Sequence, residues 1–523
     1  MKLTHHWWLG IFFVLLHLVS ANSITAVEIK LERVGSFHLE SVKPSACEIV
    51  RYDPGSKRAF VTSAAFKAVL ILDMSQPTAP KEVGRVDVGS FGSPNSVAVH
   101  QGRVAIAVEA NDKTQPGEVW LVDAGGSVLS RVKVGAQPDM ILFSPDGSRV
   151  LTADEGEPSD DGTSDPEGSI SILDLPPDLR TMNQSNVCTA DFRALDLMPK
   201  PEGVVTSPQQ TQISRDLEPE YIAISQDGKR AFVSLQENNA LAIVDVEQAK
   251  ILSVRCLGFK DHSQAGRGLD ASDKAEEIEI REWPVYGLYQ PDALICIHRK
   301  GRDFLISANE GDERVGPSAK DAVRVSDLKL DPAVFIDHEA LQKKTQLGRL
   351  RVSQSLGDVN GDGLHEKLFS FGGRSISVWD ADGAILWDSG DEFERTMAKH
   401  WPDQFNSDHE KDDSRKSRSD ARGPEPEALA YGEVEGVPLV FVGLERASTV
   451  LSYDLSDPLK PRLVGSLKLR NHDAALGTPE AGDSGPEGLD FIPGKESPNG
   501  KPLLLVASEI SNTVSVFEVS LLK

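Results

Sequence analysis

The chain has 523 residues, 39% of them hydrophobic, enough to bury a large core. Its 55 basic against 80 acidic residues leave a formal charge of −25, which excludes nucleic acid and anionic membranes as partners and favours divalent cations and cationic surfaces. In chain order, Lys2, the apolar run 7–19 and the small residues Ser20, Ala21 and Ser23 read as an export signal over residues 1–26. An uncleaved anchor is the alternative, although about 13 apolar residues are short for a span. Once the signal is cleaved, no later segment is long or apolar enough to cross a bilayer, and the mature chain is expected to be a secreted or periplasmic monomer. Cys47, Cys188, Cys256 and Cys296 lack CxxC spacing; outside the cell they either form up to two disulfides or stay free.

Seven times, two short apolar runs flank a turn, with polar residues where the first begins and the second ends. The hairpins span 48–63, 95–109, 139–155, 220–237, 292–310, 427–445 and 487–509, turning at pairs such as Asp227-Gly228 and Glu435-Gly436. Alternating strands follow most of them, at 68–73, 118–123, 169–174, 240–245, 449–454 and 513–518, and fourth strands at 81–88 and 462–467. Tandem four-stranded units predict an all-β fold, a β-propeller occupying 28–519 as a single domain. An early strand at 29–37 would complete the last blade and close the ring. Seven blades is the reading taken. Runs at 349–353, 367–371, 375–379 and 384–387 would make an eighth. The spans 179–217, 260–283, 311–348 and 394–423 read as inserted loops, none resembling a separate domain.

In an antiparallel hairpin the start of one strand lies beside the end of the next. The paired ends are Glu48 and Ser63, Asn95 and Glu109, Asp139 and Glu155, Glu220 and Glu237, Asp292 and Glu310, Glu427 and Glu445, and Glu487 and Glu509. Twelve of these fourteen positions are acidic, where composition alone predicts about two. Closing the ring gathers them into a carboxylate collar on one face. Such carboxylates repel unless paired, protonated or bound to a cation, and oxygen-rich sites suit hard cations, above all calcium. The plainer reading has them accept hydrogen bonds from backbone amides or from Arg314, Arg374 and Arg446.

The sharpest local motif is 358–366. Asp358, Asn360, Asp362 and Glu366 stand at positions one, three, five and nine of a calcium loop, with Gly363 at six and the carbonyl of Leu364 at seven. Position twelve is Phe369, so this is not an EF-hand, and strand-like flanks suggest a hairpin calcium loop. Without metal, the same residues make an acidic turn. The run 482–486, Gly-Asp-Ser-Gly-Pro, reads as a turn rather than a nucleophile motif, and His409 beside Asp408 reads as a solvated loop histidine.

Residues 216–220 with 235–240, then 308–314, 371–375, 388–394 and 423–427 resemble, in order, motifs of the choice-of-anchor I family, which is related to mesenchyme-specific cell-surface glycoproteins. That resemblance implies an exported propeller, often attached to the cell surface and linked to biomineralisation, with some relatives described as alkaline phosphatases. It adds Asn406, Asp408, Asp412, Asp413, Arg418 and Asp420 of a polar loop to the candidate site. The chain ends at Lys523 directly after a strand, which favours secretion over anchoring, and Ala421-Arg422 replaces the acidic-basic pair of the family pattern. The leading expectation is therefore a calcium-binding extracellular protein with an unidentified surface ligand. The alternative is a metal-dependent phosphatase acting on a phosphoester. There Glu155, Glu310, Asp312 and Glu445 would hold the catalytic metals, and Arg314 or Arg374 would grip phosphate; the cofactors expected of the chain are calcium and, beyond it, a second divalent or iron ion.

Overall fold

Alternating apolar runs joined by tight turns fold as antiparallel hairpins because one face of each strand can then be buried. The computed structural model describes residues 27–39, 46–207, 210–314 and 321–522; the signal at 1–26 lies outside them. Among the described residues, seven sheets are four-stranded and one is five-stranded. The inner strands of the seven are Val50–Asp53, Gly92–His100, Pro138–Phe143, Pro219–Ile224, Leu294–Arg299, Pro426–Val434 and Pro486–Ile492. Each packs against the next, and the last packs against the first, so the sheets stand around a central axis as a β-propeller. The strand Glu28–His38 pairs with Thr513–Leu522 and completes the sheet built from the C-terminal residues. Apolar side chains fill the spaces between neighbouring sheets. Phe60, Val97, Ile106 and Trp120, for example, bridge the first and second.

The runs at 349–353, 367–371, 375–379 and 384–387 do not form one unit. Ser375–Asp380 and Ile385–Asp388 are the outer strands of the sheet begun by Leu294–Arg299 and Arg302–Asn309. Residues 310–374 are inserted between its second and third strands. Arg351–Ser353 and Phe369–Ser370 instead join Phe259–Asp261, Tyr286–Leu288 and Ala322–Arg324 in the five-stranded sheet.

All four spans expected as loops therefore carry structure. Those at 260–283 and 311–348 each contribute to a strand of the five-stranded sheet and, with adjoining residues, to a core in which Trp283, Val285, Phe335, Leu347 and Leu350 are buried together. Val187–Asp191, within 179–217, is the outer strand of the third sheet. The helix Glu392–His400 enters the span 394–423, seated by Phe393 and Met397, which lie four residues apart on one buried face. No helix among the described residues is long and apolar enough to cross a membrane. All four cysteines are free thiols.

Candidate cation-binding site

Six of the seven inner strands carry, at or near their start, a proline followed by a polar residue: Pro94-Asn95, Pro138-Asp139, Pro219-Glu220, Pro291-Asp292, Pro426-Glu427 and Pro486-Glu487. Proline cannot donate to the ladder, and in five of these strands the register shifts at this point. Gln137, Gln290 and Glu425, each just before its proline, hold φ of +50°, +44° and +51°. Such left-handed backbone is costly for residues with a side chain and is retained where surrounding structure imposes it. The bulge turns the next side chain inward. Glu48, Asn95, Asp139, Glu220, Asp292, Glu427 and Glu487, one from each sheet, all line a central cavity of about 370 Å³. The proline-acid dyad was present in the sequence, and reading only strand ends missed it.

Removal from bulk water, reinforced by neighbouring carboxylates, pushes Glu48 up to about 8 and Asp139 up to about 7. The same causes hold Glu220, Glu427 and Glu487 well above the ordinary carboxyl value. Among the described residues lining the cavity, Arg51 is the one cation. It donates to the carbonyls of Val50 at 2.8 Å and Leu489 at 3.1 Å.

The second member of each pair does not line this cavity, so the collar has two tiers. Glu109, Glu155, Glu237, Glu310, Glu445 and Glu509 form the outer tier, and Ser63 is its one uncharged position. The tiers touch: Glu155, Glu220 and Glu237 bring carboxylate oxygens within 4.8 Å of one another, as do Asp292, Glu310 and Glu427. Glu237 is 8% exposed, and its Oε2 has no hydrogen-bond partner. Gln137 donates to Glu155, and Gln236 donates to Glu310 at 2.9 Å.

Near Glu310 the outer tier becomes a mixed network. Arg422 lies 2.9 Å from both Glu310 and Asp312. Fully buried Glu425 is held by Arg418 at 2.6 Å, Arg422 at 3.1 Å and Arg446 at 3.3 Å. These guanidiniums keep Glu425 below its ordinary value despite burial. Burial pushes Glu445 up to about 8.

The polar loop divides between bracing and site. Asn406 donates to Glu394 at 2.7 Å, Asp408 pairs with Lys411 at 2.7 Å, Asp412 pairs with Arg470 at 2.7 Å, and Asp420 pairs with Arg324 at 2.6 Å. Asp413 is exposed, and Arg418 alone of the six reaches the network, through Glu425. His409, expected as a solvated loop residue, is 1% exposed and sits between Glu445 and Glu509. Burial, with Arg446 alongside, lowers it to about 3. No signal in its own stretch of sequence marks it, because the residues around it are charged.

Arg374 is buried, and its two Nη groups donate to Glu394 and to the carbonyls of Asp270, Ser419 and Ala421. Arg314 is tied to Asp216 and lies 3.5 Å from Glu218.

The 358–366 loop connects Arg351–Ser353 to Phe369–Ser370 in the five-stranded sheet, apart from the seven four-stranded sheets. Asp358, Asp362 and Glu366 bring oxygens within 4.8 Å of one another. The turn is held by amide donors from Gly361 and Gly363 to Asp358, and from Val359 to Glu366, at 2.7–2.9 Å.

A profile of the choice-of-anchor I domain matches residues 48–458. The chain belongs to the choice-of-anchor I family. Within and around that domain, Gigasin-3a of Magallana gigas is 36% identical over 196 residues, covering 35% of this chain and 66% of that protein. The mesenchyme-specific cell surface glycoprotein of Strongylocentrotus purpuratus is 30% identical over 299 residues, covering 51% of this chain and 38% of that one. This choice-of-anchor I chain thus spans less than two thirds of either relative's length. Among solved structures, the hydrazine synthase of Kuenenia stuttgartiensis aligns with a TM-score of 0.46 at 14% identity, over 92% of this chain and 97% of that one. The Cps50 (Swd1) β-propeller domain of Myceliophteria thermophila aligns with a TM-score of 0.46 at 10% identity, over 94% and 100%.

Proposed function

We propose that this chain is an exported, calcium-binding propeller that acts as a surface or extracellular binding protein, with the channel mouth as its cation-dependent face. Choice-of-anchor I membership and the surface-glycoprotein relative fit an extracellular location. The observation that carries the reading is the convergence of six carboxylates, each from a different sheet, around one cavity with a single arginine. Held apart from bulk water, such a ring is unfavourable when fully ionised, and a hard divalent cation offsets its charge with oxygen ligands alone. The 358–366 loop would hold a further calcium ion through Asp358, Asn360, Asp362, Leu364 and Glu366. Phosphoester hydrolysis gains no support from Arg374, whose Nη donors are taken up inside the protein.

Metal analysis of purified protein and melting with and without a chelator test this reading. Bound calcium is expected, with a melting temperature that falls on chelation and recovers when calcium is restored. Glu220→Gln and Asp362→Asn should each lower the calcium bound. Protein free of metal whose melting ignores the chelator would overturn the proposal.

A further inference from the structure

The Asp408-His409 backbone is clamped from outside the loop. Arg470 Nη1 donates to the carbonyls of Asp408 at 3.2 Å and His409 at 3.1 Å, and the Ser484 hydroxyl donates to the His409 carbonyl at 2.8 Å. These contacts carry an imidazole into the outer tier of the collar, 1% exposed, with its two nitrogens facing different groups. Nε2 lies 2.9 Å from Arg446 Nη1, 3.4 Å from Glu509 Oε1 and 3.7 Å from Glu410 Oε1. Nδ1 lies 3.2 Å from Glu445 Oε1 but makes no hydrogen bond, because the carboxylate is out of line with the ring nitrogen. A buried ring nitrogen without a partner is unfavourable and calls for an explanation.

We propose that His409, Glu445 and Glu509 form a site for a borderline divalent metal ion such as zinc, ferrous iron or manganese, bound through His409 Nδ1. One ligand atom from each residue lies within 4.8 Å of the other two. A nitrogen and an oxygen each about 2.0–2.2 Å from one ion, at a near-tetrahedral angle, stand about 3.3 Å apart. The Nδ1 to Glu445 spacing of 3.2 Å fits that geometry, while Glu509, whose Oε1 stands 3.4 Å from Nε2, would turn toward the Nδ1 edge to complete the site. Nitrogen in the donor set separates this site from the channel mouth and from the 358–366 loop, whose oxygen ligands suit calcium.

Charge favours occupancy. Glu310, Asp312, Glu410, Glu425 and Glu445 face Arg418, Arg422 and Arg446, and Glu509 faces His409, so acids outnumber guanidiniums two to one before any ion is bound. Arg446 also sets the switch between empty and filled. With Nε2 accepting from Arg446, the ring proton sits on Nδ1. Metal at Nδ1 moves that proton to Nε2, which then faces Glu410, while the Nη1 end of Arg446 turns aside. Arg446 Nε keeps its place 3.3 Å from Glu425 and 3.2 Å from Glu445. The proposal does not depend on calcium occupying either of the other sites.

Cobalt is the probe. Chelator-stripped full-length protein, returned to excess calcium, is titrated with Co²⁺ and followed by its visible d–d absorption, with Zn²⁺ as competitor. Uptake that saturates in the presence of calcium is expected, and Zn²⁺ should displace it. His409→Gln, close in size to the native side chain, should weaken cobalt binding by at least about tenfold, and Glu509→Gln should do likewise. Asp362→Asn, in the calcium loop, should leave the cobalt spectrum unchanged. No saturable spectrum in excess calcium overturns the proposal, as does unaltered cobalt affinity in folded His409→Gln or Glu509→Gln. The calcium reading stands or falls separately on the chelator melt.

Discussion

Arg51 Nη2 lies 3.5 Å from the Tyr221 hydroxyl, joining the first and fourth sheets across the central cavity. Both residues follow acidic ones on their inner strands, Glu48 and Glu220, so a cation and a phenol lie just beyond the carboxylates of the channel mouth. The ring is thus tied across its middle as well as around its circumference. Arg51 also anchors to the neighbouring seventh sheet through the Leu489 carbonyl and draws down the raised value of half-buried Asp490, which rests at about 6.

Tyr221→Phe removes only the cross-channel contact. Arg51 keeps its two carbonyl partners, and the ring retains its packing, so a loss of about 1 kcal/mol or less is expected. Urea unfolding should show a small shift of midpoint with unchanged slope. A larger loss would mean that the contact orders the whole cavity floor.

The hairpins were legible because their period-two alternation runs for five or more residues between Gly, Asp and Asn turns, as on either side of Asp227-Gly228. The five-stranded sheet was not. Phe259–Asp261, Tyr286–Leu288 and Ala322–Arg324 are three residues each, too short for a period to register. One of its pairings, Tyr286 beside Phe369, is parallel and joins distant segments. The acidic positions of the collar were legible from their place at strand ends, but their division into two tiers depends on bulges after proline. His409 escaped notice because Asp408, Glu410, Lys411 and Asp412 around it are marks of a solvated loop. Arg470 and Ser484, far along the chain, clamp its backbone and fold it inward.

Metal-free protein should lose stability as pH rises above neutrality. Glu48 and Glu445 move from an ordinary value of 4.5 to about 8 on folding, and Asp139 from 3.8 to about 7. Between those limits the folded chain holds protons that the unfolded chain has released, so stability falls with pH and the loss is complete above about pH 8. Buried His409 and half-buried His472, lowered to about 3 and 4, act in the opposite sense, but only below their ordinary 6.5. Comparing melts at about pH 7 and pH 8.5 therefore isolates the carboxylates. The chelated protein should melt lower at the higher pH, and calcium should close the gap.

Glu425→Gln should destabilise strongly. Its carboxylate is the common partner of Arg418, Arg422 and Arg446, and a neutral amide leaves partly buried guanidiniums facing one another. Breaking one partner of a buried ionic cluster costs about 3–5 kcal/mol. Denaturant titration should register a loss of that order, and Arg446 should no longer be held beside His409.

Gly488→Ala tests how tightly the ring closes. A Cβ at Gly488 would stand 2.3 Å from the Glu48 carbonyl oxygen and 3.0 Å from the Ile49 Cα, both rigid backbone atoms. The seventh sheet would have to withdraw from the first, and overpacking of this kind costs about 1–3 kcal/mol. Glu48 and Glu487 flank that contact and both line the cavity, so the same change should weaken calcium binding at the channel mouth. Gly84→Ala is the control: its nearest neighbour would be the Ile71 Cδ1 at 3.8 Å, an ordinary contact in an outer strand. Calorimetric titration with calcium should show reduced affinity for Gly488→Ala and native affinity for Gly84→Ala. Equal affinity in both would mean that the channel mouth does not depend on the spacing of its sheets.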